Sequence, residues 1–141
     1  MGPVSDSDVL NLWDRCADEH PLDRALTLLG LAGGASRAEL AALPIGERDR
    51  RLFAVSAALF GPQITLIATC PDCRAETELS FMNDRVEAMV QPPAPQVIPF
   101  RGRMIAYRMP DSRDLAQALA APDPGAARQV LLAGLLQDST P

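Results

Sequence analysis

The sequence predicts an α+β protein: an N-terminal helical lobe, a small antiparallel β module with a zinc-ribbon-like Cys-Pro-x-Cys hairpin, and C-terminal helices. The spacing of apolar residues is the first reason. They recur every three to four positions as far as residue 61, about every second position from 62 to 110, and at helical spacing again from 111 to 141. Second, a Cys pair falls between two short runs of strand type. Third, aromatic residues make up only 4% of the chain, so the core must be mostly Leu, Ala, Val and Ile, which favours helix packing. At 141 residues the segments 1–61, 62–110 and 111–141 are read as parts of one compact unit with a modest core.

In the first segment, Ser5, Asp6 or Ser7 can cap a helix whose Val9, Leu12, Trp13 and Cys16 form one apolar stripe. His20-Pro21 ends it, and Pro21 suits the first position of a second helix. There Leu22, Ala25, Leu26 and Leu29 share a face, and Gly33-Gly34 closes it. Ser36 and Glu39 make a capping-box pattern for a short turn that Pro44 closes. A longer helix follows, with Leu52, Phe53, Ser56, Leu59 and Phe60 facing inward and Gly61-Pro62 as the stop. Its mixed-charge start, Glu47 to Arg51, is either a solvated helix end or a docking surface in which Arg48 and Arg51 would meet a partner.

In the second segment, "QITLIAT" and "ETELSF" are strands that place Cys70 and Cys73 at a hairpin tip. "QPPAPQ" is a stiff, extended spacer. "VIPF" and "MIAYRM" flank Arg101-Gly102-Arg103 as a second hairpin, with Pro99 marking an edge strand. In the third, Asp111 and Asp114 cap the helix "DLAQALAA", and after Pro122 to Gly125 the helix "AARQVLLAGLLQ" aligns Val130, Leu131 and Leu135. That last stripe is the first surface expected to bind a partner or a second copy.

The net charge of −5 and the scarcity of aromatic residues argue against nucleic acid as a partner. No basic segment followed by an apolar one marks the chain for export, and no apolar run approaches the roughly 20 residues of a membrane span. Asp6 stands where a myristoylation signal needs Ser or Thr. These features imply a cytoplasmic protein without a membrane partner. An odd cysteine count of three, with two in CxxC, argues against a disulfide framework. No phosphate-binding loop, nucleophile elbow or catalytic set emerges, so the chain does not read as an enzyme.

Cys70 and Cys73 lie in "CPDC", a tight turn that lets two thiolates converge on one zinc while its amides support their charge. Tetrahedral zinc takes four ligands, so this is a half-site. Four readings stay open. The remaining ligands come from a partner or from chain beyond this one. The hairpin is a remnant with free thiols. Cys16 and His20, spaced i, i+4, complete a Cys3His set. Or the pair is a redox dithiol, although a redox CxxC gains acidity at a helix N-terminus and this one lies between strands.

The segments "LWDRCADEHPLDRALTLLGLA", "LPIGERDRRLFAVSAALFGPQITLIATCPDC", "YRMPDSRDLAQAL" and "AARQVLLAGLL" together resemble the T4-like baseplate hub assembly chaperone family of phage tails and contractile injection systems. The resemblance spans roughly Leu12 to Leu136. It implies a non-enzymatic part of contractile tail assembly, binding hub or spike proteins as a transient chaperone or as part of the finished particle. It also implies a second Cys-Pro-x-Cys beyond the last helix. Cys70 and Cys73 match the first pair, and the chain ends at Pro141 before the second, as a truncated member would. Two other classes stand beside it: a zinc-ribbon-like nucleic-acid or transcription module using Arg101, Arg103 and Arg108, and a dithiol redox protein.

Overall fold

The computed structural model describes residues 5–31, 33–85 and 96–137. Helix α1 (Asp6–Cys16) starts at a reciprocal cap: the Ser5 hydroxyl accepts the Asp8 N–H, and the Asp8 carboxylate accepts the Ser5 N–H at 3.0 Å. Only part of its expected stripe is used. Leu12 and Cys16 are buried, whereas Val9 is 37% and Trp13 77% exposed. The physical reason is that α1 rests mainly on one neighbour, α2 (Pro21–Gly30), and a single helix neighbour covers one i, i+4 row rather than two.

Pro21 is the first residue of α2, as expected, and His20 is its N-cap, with ring Nδ1 accepting the Leu22 N–H at 3.3 Å. The helix ends at Gly30 rather than at Gly33-Gly34. Both of those glycines have positive φ and turn the chain toward α3 (Arg37–Ala41), which carries the predicted Ser36–Glu39 capping box. Pro44 then opens α4 (Ile45–Phe60). The core forms where α2, α3 and α4 meet: Leu26, Leu29, Leu40 and Val55 are buried, with Ala35, Ala41, Leu43, Leu52 and Leu59 packed around them. Phe53 and Ser56 are half-buried. Phe60, expected to face inward, is 80% exposed because it closes the last turn and Gly61 (φ 92°) leads the chain away.

Strands β1 (Gln63–Thr69) and β2 (Glu76–Met82) form a two-stranded antiparallel ribbon in the register Leu66↔Leu79. Paired residues share a face, so Ile64, Leu66 and Ala68 line up with Phe81, Leu79 and Thr77 on one side. Asn83 anchors the ribbon's base, donating its N–H to the Pro62 carbonyl at 2.8 Å and its amide to the Phe53 carbonyl of α4.

The second hairpin, β3 (Val97–Phe100) and β4 (Arg103–Tyr107), turns through Arg101 and Gly102, both at positive φ. Residues 91–95 of the predicted spacer lie outside the described residues. Pro99 sits on an edge strand as expected, because the sheet order is β3-β4-β5. Strand β5 (Leu136–Gln137) was expected to be helix; Leu136 turns extended and pairs with Tyr107. Helices α5 (Ser112–Leu119) and α6 (Pro124–Leu135) lie against each other.

A polar junction ties α4, β4 and α5 together. The Ile45 N–H donates to the Pro110 carbonyl at 2.9 Å, Pro44 bridges Asp111, and Arg48 donates to the Ser112 hydroxyl at 3.2 Å. Asp111 and Asp114 are buried and form the capping box of α5, as the sequence implied. Arg108 holds both Asp114 oxygens at 2.6 Å, and Arg113 holds Asp111. Gly134 of α6 lies over this pair, where an added Cβ would stand 3.4 Å from the Asp114 carboxylate. The chain is thus a mixed helix-and-strand protein with two small antiparallel sheets.

Candidate functional site

The Cys-Pro-Asp-Cys turn caps the β1–β2 ribbon. It is closed by the Cys70 N–H donating to the Ala75 carbonyl at 2.9 Å and the Arg74 N–H donating to the Cys70 carbonyl at 3.0 Å. Arg74 pays for the tightness with φ of 61°, a left-handed conformation that favours glycine. Both thiols are free, Cys70 half-buried and Cys73 exposed. The backbone N–H groups of Cys73 and Asp72, and then the Cys73 thiol, hydrogen-bond to Cys70 and hold its thiol below the ordinary value. The turn therefore stabilises a thiolate and brings a second sulfur beside it, which is the chemistry of a soft-metal ligand pair.

Internal completion by Cys16 and His20 finds no support in the geometry. Cys16 is buried between α1 and α2, where desolvation, followed by the nearby Glu19, pushes its thiol up toward the neutral form. His20 uses its Nδ1 as a helix cap. Among the described residues no group of three or more His, Cys, Asp or Glu side chains is placed to hold a metal. Among the described residues, then, the turn offers two of the four ligands that zinc requires, and no zinc-ribbon group is seen.

The other candidate residues are placed differently from expectation. Arg48 is buried at 8% exposure, held by Asp49 at 2.7 Å and by Ser112, so it is part of the α4–α5 junction and not a docking surface. Arg51 pairs with Glu47, which Arg50 also holds. These hydrogen bonds lower the Glu47 carboxyl to about 2. Val130, Leu131 and Leu135 are half-buried, and the exposed apolar residues of that end are Leu132 and Leu136. The shift follows from α6 packing on α5 and handing its last residues to β4.

Of the three arginines read as phosphate contacts, Arg108 is committed to Asp114, and Arg101 lies 5.3 Å from the centre of the Phe100 ring. An unforeseen surface is the apolar face of the ribbon. Ile64 and Phe81 are half-buried at its base, while Leu66 and Leu79 are about half exposed further out, at 48% and 50%. The signal was present in the sequence as alternate apolar positions on two strands, but nothing local told whether a second layer would cover them.

No helix among the described residues is long and apolar enough to cross a membrane. Compared with protein-family models, curated proteins and solved structures, the chain matches none.

Proposed function

We propose that the chain is a non-enzymatic assembly factor or component of a contractile, phage-tail-like baseplate, and that it binds hub or spike proteins. It would act in the cytoplasm during assembly, before or while the tail particle forms. The sequence resemblance supports the class of protein. The observation that carries the binding role is the apolar face of the ribbon, where Leu66 and Leu79 pair across the strands with about half their surface in water. A two-stranded hairpin is marginal by itself, so a ribbon that leaves its apolar face open has most to gain by packing against another protein. The helical core holds the base of that ribbon through Asn83, and the outer part of the face keeps about half its surface in water.

Co-expression with the hub and spike proteins of a contractile tail tests the reading. The chain should co-purify with one of them, and Leu66→Glu combined with Leu79→Glu should abolish the complex while leaving helical circular dichroism intact. Failure of the unaltered chain to bind either protein would remove the proposal.

A second reading, a dithiol redox protein, is favoured by one observation: the lowered Cys70 thiol beside an exposed Cys73. Alkylation rates measured against pH test it directly. A Cys70 midpoint at the ordinary thiol value, about 8.5, would eliminate it.

A further inference from the structure

We infer that the Cys70–Cys73 turn is half of a zinc site completed by the same turn of a second copy, so that four thiolates around one ion join two chains tip to tip. The inference needs no partner other than the chain itself and stands apart from the baseplate reading.

The ligand inventory leads to it. The sequence contains three cysteines and one histidine. Cys16 is buried away in α1, and His20 caps α2. No carboxylate among the described residues joins Cys70 and Cys73 to make a third ligand. Within residues 1–141 the soft N and S ligands open to this turn are therefore two, whereas a structural zinc site closes at four. A two-fold axis through the metal supplies the missing pair from an identical turn, in the self-complementary way that symmetric dimers form.

The turn is built and placed for this. Its amides already point at the Cys70 sulfur, so little has to be ordered when the metal arrives. Every residue from Pro71 to Ser80 is exposed, so the tip stands clear of its own chain and can approach another. The tip's net charge is negative, so two like tips can meet only where an acid of one faces the arginine of the other. Zinc with four thiolates is a doubly negative centre, and each copy brings one arginine, Arg74, directly after Cys73. Asp72, Arg74 and Glu76 also alternate in sign, so two such tips related by a two-fold axis can set acid against base on both sides. On binding, the four thiol protons pass to solvent and the ion takes their place.

The test is native mass spectrometry of the reduced, full-length chain with zinc supplied, paired with sedimentation before and after chelation. The expected species is two chains with one zinc, converting wholly to monomer when the metal is removed. Cys70→Ser and Cys73→Ser should each lose both zinc and dimer, whereas Cys16→Ser should keep both. Cobalt in place of zinc should give the visible absorption of a tetrahedral tetrathiolate, a readout on the unaltered chain that does not depend on how the variants fold. One zinc on a single chain, no zinc at all, a dimer that survives chelation, or zinc loss in Cys16→Ser would each overturn the inference.

Discussion

The helical centre and the β1–β2 ribbon divide the physics of this protein between them. In the centre, Leu26, Leu29, Leu40 and Val55 are at least nine-tenths buried, and the buried acids Asp111 and Asp114 are answered by Arg108 and Arg113. In the ribbon, Leu66, Ile67, Leu79 and Met82 are 45–69% exposed, and Asn83 hydrogen-bonds its base to Phe53 of α4. The contrast teaches that stability resides in one region while the surface available for new contacts resides in the other. A substitution should therefore reveal its region by which measurement it moves.

The largest contrast is between Leu29 and Leu66. Leu29→Ala empties space in the core and should cost about 2–5 kcal/mol in chemical denaturation. Leu66→Ala should fall within about 0.5 kcal/mol, since half its side chain is already in water. Equal losses at the two sites would break the division. Next comes Arg108→Ala, which strands the buried Asp114 carboxylate and should cost about 2–4 kcal/mol, measured the same way. Asn83→Ala should cost about 1–2 kcal/mol and, more tellingly, should speed amide exchange in the ribbon ahead of the helices. If ribbon and core amides accelerate together, the two regions are not separable.

The smallest effect is a pH dependence in the centre. Glu47 falls from the ordinary 4.5 to about 2 in the folded chain, first through hydrogen bonds from Arg50 and Arg51. Its contribution is present above pH 4.5 and is lost as pH falls toward 2. Asp114, lowered first by its bond to Arg108, acts in the same direction. For Asp111 burial is the largest influence and pushes upward, but hydrogen bonds from Arg113 and from the backbone N–H groups of Asp114 and Arg113 outweigh it. Acid titration of Glu47→Gln should flatten the low-pH loss slightly, and the remaining loss is shared by Asp111, Asp114 and the capping carboxylates Asp8 and Glu39.

Local chemistry was legible in the sequence. Ser5, Ser36 and Asp111 announce their helices because a cap involves residues only three apart. The change of apolar period located both hairpins, and Gly102 marked a turn. What escaped depends on distant residues. Arg48 sits in a charged run that reads as solvated, yet its partner Ser112 is 64 positions away. Trp13 and Phe60 look like core residues by spacing, yet Trp13 stays in water because α1 rests mainly on α2, and Phe60 because the chain turns away at Gly61. The two thiols of the candidate site could be placed at a hairpin tip from their spacing alone. The ligands that would complete the site could not, because spacing within residues 1–141 carries no information about groups outside them.

The ribbon's two-stranded make-up has a practical consequence for handling the protein. Each of its strands has one side whose backbone N–H and C=O groups have no neighbouring strand among the described residues. β1, "QITLIAT", contains neither a charge nor a proline, the features that usually keep such a strand from adding to another molecule. Concentrated stocks held without a ligand for the ribbon should therefore lose material slowly to strand-by-strand aggregation, and a single lysine in place of Thr65 should lengthen their shelf life.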